Sequence, residues 1–128
     1  MSNEMTNYST MVAGPELDAA AAEGVMGWGL KGDYFWVDAE GNPIIMPKGN
    51  GLATRETFIP SDPEDWRSIG MVLDRLAELK IPYGLEYEPK GDLPYRFITW
   101  QGVTETITYA ETPQVAATRG ALKAVGGD

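Results

Sequence analysis

SDPEDWRSIGMVLDRLAELK, residues 61–80, reads as a complete helix without help from its neighbours. Ser61 or Asp62 can accept a hydrogen bond from the first free amides, Pro63 suits the first turn, and Glu64 and Asp65 face the positive end of the dipole. Trp66, Ile69, Val72, Leu73, Leu76 and Leu79 recur at steps of three and four, which lays one apolar stripe along the rod. Arg67, Asp74, Arg75, Glu78 and Lys80 take the other side. At ~1.5 Å per residue the rod is roughly 25 to 30 Å long, enough to cover a small sheet. The stripe needs that sheet, so this helix is expected at the centre of the domain.

On its amino-terminal side, Arg55 to Pro60 reads as an extended lead. Asp33 to Asp38 and Asn42 to Met46 are extended runs joined by Ala39, Glu40 and Gly41, a hairpin with turn residues at its tip. Gly27, Trp28, Gly29, Leu30, Lys31 and Gly32 spell G-x-G-x-x-G, but a helix precedes the string and a strand-like run follows it. Dinucleotide binding needs the reverse order, so the glycines are read as a helix stop and a turn, with Trp28 plugging the corner. Pro15 to Met26 forms a short alanine-rich helix. On the carboxyl-terminal side, Ile81, Tyr83, Leu85 and Tyr87 alternate on one strand face. The turn EPKGDLP follows, Tyr95 to Trp100 resumes as a strand, and Thr104 to Tyr109 adds another. Thr112 caps and Pro113 opens a last helix through about Val125. These elements predict an α+β fold: an antiparallel sheet with helices packed on it, in the order helix, β-hairpin, helix, β-hairpin plus strand, helix. Residues 1–12 read as a flexible tail and residues 13–128 as a single domain.

The 128 residues carry a net charge of -9, with ten cations against nineteen carboxylates, so no broad basic face is available to a long nucleic acid. There is no cysteine and no histidine, which removes thiolate catalysis, disulfides, thiolate zinc sites and the usual base near neutral pH. No run approaches the ~20 apolar residues of a membrane span. Asp33, Asp38 and Glu40 do not follow calcium-loop spacing and are read as turn carboxylates. No catalytic residue, metal ligand or cofactor is expected. Glu64 with Asp65 and Glu86 with Glu88 are read as solvated charge, not as acid–base pairs.

Cations on the last helix offer a different chemistry. Arg119 lies on the shoulder of the stripe marked by Val115, Leu122 and Val125, and Lys123 follows one turn on. Together they can hold an anion while its planar part stacks on a strand aromatic; alternatively, Arg119 pairs with a glutamate and Lys123 is solvated. Arg96, Phe97 and Trp100 are the strand candidates. Arg96 and Phe97 point to opposite faces, so both cannot line one cavity unless a second subunit contributes.

The segments ELDAAAAEGVMGW, FIPSDPEDWRSIGMVLDRL and ETPQVAATRGALKAV carry a resemblance to the phage ABA sandwich domain family, spanning about Pro15 to Val125. The resemblance implies an α-β-α sandwich. Some proteins that look like this family are phage anti-defence sponges of the Thoeris system. They sequester cyclic ADP-ribose isomers and related cyclic nucleotides without cleaving them, in pockets between subunits of a homo-oligomer. For this chain it implies that Arg119 and Lys123 face phosphates, that a strand aromatic stacks on the base, and that the protein acts as a homo-oligomer in the host cytoplasm. The alternative reading is an acidic protein-interaction module or minor phage protein that inhibits a host protein.

Overall fold

The structure, a computed structural model, describes residues 11–89 and 91–126. The expected tail therefore lies outside the described residues except for Met11 and Val12. Of these, Met11 packs against the core and Val12 is exposed. Three helices, α1 (Pro15–Gly24), α2 (Trp66–Glu78) and α3 (Pro113–Gly126), accompany two antiparallel sheets. The smaller sheet pairs β1 (Gly29–Lys31) with β2 (Phe35–Val37). The larger has the order β3 (Tyr83–Tyr87), β4 (Tyr95–Gln101), β5 (Thr104–Ala110). The α+β fold and its element order are as expected.

The centre of the molecule is α3, not the helix that is clearest in the sequence. Every residue from Gln114 to Leu122 is buried, on all sides of the rod. One side lies on β4 and β5, and α1 and α2 pack against the others. Small side chains permit this: Ala116, Ala117, Ala121 and Ala124 are buried, and Gly120 rests on the Phe97 ring. A Cβ at Gly120 would come within 2.4 Å of that ring, so the contact is open only to glycine. The start is as expected, with the Thr112 hydroxyl accepting from the Val115 amide at 3.2 Å. A helix sheathed by other elements needs no single stripe, which is why periodicity underrated it.

The expected position of α2 is corrected at its start and in its packing. The cap is Asp65, whose carboxylate accepts from the Arg67 and Ser68 amides at 2.8 and 3.3 Å, and residues 61–64 are turns. Their polar groups are engaged elsewhere: the Ser61 amide donates to Asp18 at 2.8 Å, the Ser61 hydroxyl accepts from the Gly14 amide, and the Gln114 side chain donates to the Pro63 carbonyl. Trp66, now at the first helical position, is 60% exposed. Ile69, Val72 and Leu76 are the buried stripe, and it packs chiefly on α3. Arg75 ties α2 to α1, donating to the Val25 carbonyl at 3.2 Å.

The glycine string supplies β1 as well as a stop and a turn. Residues 42–46 meet β2 at the Val37–Pro43 bridge and the 52–54 segment at the Ile45–Leu52 bridge, and Thr54 in turn bridges to Phe35 of β2; none of these is a regular ladder. Asp38 fills the intervening turn, accepting from the Asn42 and Glu40 amides at 2.9 Å each, and these bonds, that from Asn42 first, hold its pKa below the ordinary value. Trp28 meets Phe58 edge to face at 4.8 Å, and Trp36, Met46 and Phe58 are fully buried in the core shared with α1 and α3.

Candidate functional site

β4 decides where the candidate side chains go, because successive residues of a strand face opposite ways. Phe97 and Thr99 point to the α3 side and are buried. Arg96 and Trp100 point to the other side, where Trp100 and Tyr109, the β5 partner of Arg96, remain exposed. The sheet thus divides the five sequence candidates into two groups: Arg119, Lys123 and Phe97 on the covered side, Arg96 and Trp100 on the open one.

On the covered side, Phe97 is core, stacked on Tyr83 with centroids 5.6 Å apart and pressed by Gly120. Arg119 is 7% exposed, and its Nε donates to the Met11 carbonyl at 2.9 Å. Among the described residues its hydrogen-bond partner is thus the Met11 backbone carbonyl and not a glutamate. Lys123 is half-buried.

On the open side, Arg96 stands in the middle of a cross-strand row. Its register partners are Glu86 on β3 and Tyr109 on β5. Its Nε donates to Glu86 at 2.6 Å, and the Tyr109 hydroxyl is a second partner; these two, Glu86 first, hold the guanidinium pKa above its ordinary value. Glu86 is thus exposed, as expected, and is in addition one half of an ion pair. Beside this row lies a cleft of about 440 Å³ lined by Glu88, Asp92, Leu93, Pro94, Arg96 and Tyr109. Trp100 stands four residues further, roughly 13 Å along the strand, with its ring against Gly84 at 3.5 Å from the position a Cβ would take. The face can stack a planar ring on Tyr109 or Trp100 and bind a carbonyl or phosphate oxygen through Arg96.

The fold is shared with a phage protein of known structure. The chain is similar to a phage protein from Bacillus cereus ATCC 14579 known from a 2.0 Å crystal structure, with TM-score 0.58 and 18% sequence identity over 95% of this chain and 94% of that one. The likeness to that phage protein is one of fold and carries no statement about the phage ABA sandwich family or Thoeris sponges. No family model and no curated protein matches the chain.

The sequence reasoning missed Tyr109 and the pairing of Glu86 with Arg96. A signal existed in the alternation of Thr104 to Tyr109, but cross-strand partners follow from register, and register depends on how many residues of EPKGDLP belong to the turn. No described helix is long and apolar enough to cross a membrane.

Proposed function

We propose that the chain is a phage-encoded capture protein that binds a small cyclic nucleotide signal, of the cyclic ADP-ribose or cyclic oligonucleotide class, in the host cytoplasm without cleaving it. The observation that carries this reading is the open sheet face, where a guanidinium oriented by Glu86 and Tyr109 stands beside exposed aromatic rings and a cleft of about 440 Å³. An aromatic ring supplies a stacking surface for a base and Arg96 a charge-assisted bond to phosphate, the few polar groups that a small-molecule site needs. Capture asks for no nucleophile or base, so a chain with neither histidine nor cysteine suits it. Glu88 and Asp92 at the cleft select against heavily phosphorylated ligands.

Titration calorimetry with cyclic ADP-ribose, its isomers and cyclic di- and trinucleotides tests the reading. The expected result is binding by at least one of them, weakened roughly tenfold or more in Arg96→Ala, which is about 1.4 kcal/mol, with ligand recovered intact after heat denaturation. Silence across the panel sinks it. Binding that survives Arg96→Ala but fails in Lys123→Ala moves the site to the α3 side of the sheet. The same two carboxylates, with the net charge of -9, favour a second reading in which the face takes a basic segment of a host protein. Retention of such a protein from lysate, with no nucleotide bound, supports that one.

A further inference from the structure

β3 is an edge strand, and its ladder with β4 tells which of its backbone groups are committed. The Trp100 amide donates to the Pro82 carbonyl at 3.1 Å and the Glu88 amide to the Pro94 carbonyl at 2.7 Å. In an antiparallel ladder bonded pairs alternate with non-bonded ones, so residues 82, 84, 86 and 88 turn their amides and carbonyls toward β4. Those of Tyr83, Leu85 and Tyr87 point away from the sheet. These three residues also place their side chains on the α3 side of the sheet but beyond its cover, with Tyr83 and Leu85 each 39% and Tyr87 61% exposed. The apolar alternation seen in the sequence is an open stripe along an unpaired edge. The usual protections are missing: no proline, lysine or bulge interrupts residues 83–87.

The order of residues in the strand says what fits it. Tyr83-Gly84-Leu85-Glu86-Tyr87 is nearly symmetric about Leu85. Set antiparallel against a second copy with Leu85 opposite Leu85, the strand brings Tyr83 opposite Tyr87, and every outward amide and carbonyl finds a partner, giving up to about six ladder bonds. The same register sets Glu86, the only charge on the strand, opposite Gly84. Sliding by two residues in one direction puts Glu86 opposite Glu86, which cross-strand repulsion disfavours, and in the other it loses a third of the bonds. We propose that two copies of this chain join through β3 to form one six-stranded antiparallel sheet with Leu85 on the twofold axis.

The join runs the two open faces into one surface. Gly84, against which the Trp100 ring lies, comes to sit opposite Glu86 of the other copy, so the aromatic of one copy adjoins the Glu86–Arg96 pair of its mate. The pairing stands independently of any ligand, and its failure would leave the capture reading untouched.

Sedimentation equilibrium of the full chain is the test. Wild type is expected at twice the 14.0 kDa chain mass. Leu85→Lys and Leu85→Glu, each bringing like charges together on the axis, are expected at the chain mass when alone and at twice that mass when mixed in equal amounts. Tyr83→Lys with Tyr87→Glu keeps opposite charges across the axis and should remain dimeric, whereas Tyr83→Lys with Tyr87→Lys should not. That second pair keeps the test decisive if a charge at position 85 prevents folding, which circular dichroism reads directly. A monomeric wild type, a dimer that survives both Leu85 charges, or a retained β3-bound peptide or host protein in place of a second copy overturns the proposal.

Discussion

Asp18 shows how one buried side chain sets a pH dependence for the whole chain. It sits in the first turn of α1, buried, with its carboxylate accepting from the Ser61 amide at 2.8 Å. Burial pushes its pKa from 3.8 to about 6, and the hydrogen bonds from Ser61 only partly offset that push. A carboxyl group with a raised pKa in the folded state binds more protons there than when unfolded, so its contribution to stability falls as pH rises from about 4 to about 6 and is flat above. The loss is on the order of 3 kcal/mol at most. Asp18→Asn keeps an oxygen for the Ser61 amide and removes the titration. Its stability relative to wild type should therefore climb across that window and level off near pH 6 to 7, as read from urea melts at a series of pH values. A difference that stays constant with pH would show that Asp18 is ionised in the fold at no cost.

At the scale of elements, the end of α2 carries a strain that the sequence does not announce. The Ile81 amide donates to the Leu76 carbonyl at 2.9 Å and the Lys80 amide to the Ala77 carbonyl at 3.0 Å, the double closure of a helix whose next residue turns left-handed. That residue is Lys80, with φ of +61° and its side chain exposed. Lys80→Gly should raise stability by about 1 kcal/mol, since glycine enters this conformation without the Cβ clash. Thermal melts would show the gain as a few degrees, and a fall in melting temperature would mean that the lysine side chain contributes more than its backbone loses.

Lys80 belongs to a wider pattern in what was legible. The three helices, the long hairpin with its following strand, and the Thr112 cap could all be read, because each rests on residues close together in sequence. The start of α2 could not, because Ser61 is held by Asp18 forty-three residues away and the true cap, Asp65, competes with two other good cap residues, Ser61 and Asp62, just before it. The central place of α3 was hidden by its alanines, which signal close approach without saying to what. Of the candidate site residues, Arg96 and Trp100 do share an open face. Phe97 gave the same aromatic signal, and only register with α3 and Gly120 reveals it as core.

Across the whole molecule, the excess of nine negative charges is met by few cations in position to neutralise it. The described ion pairs Arg75–Glu78, Arg67–Asp65 and Arg96–Glu86 all involve at least one side chain open to water, where such pairs contribute little. Repulsion among the remaining carboxylates is therefore expected to outweigh attraction at low ionic strength, and the unfolded chain, being larger, feels it less. Salt shortens the reach of both terms, from about 30 Å at 0.01 M to about 3 Å at 1 M. The longer-range repulsion is lost first. Raising sodium chloride from about 0.01 M into the range where surface charges are screened should raise the melting temperature at pH 7.5. Because the proposed β3 pairing places its sole charge opposite glycine, the same addition should leave the dimer intact. A melting temperature that falls with salt would instead show that the cross-strand ion pair of Arg96 and its like hold more of the fold together than the carboxylates push apart.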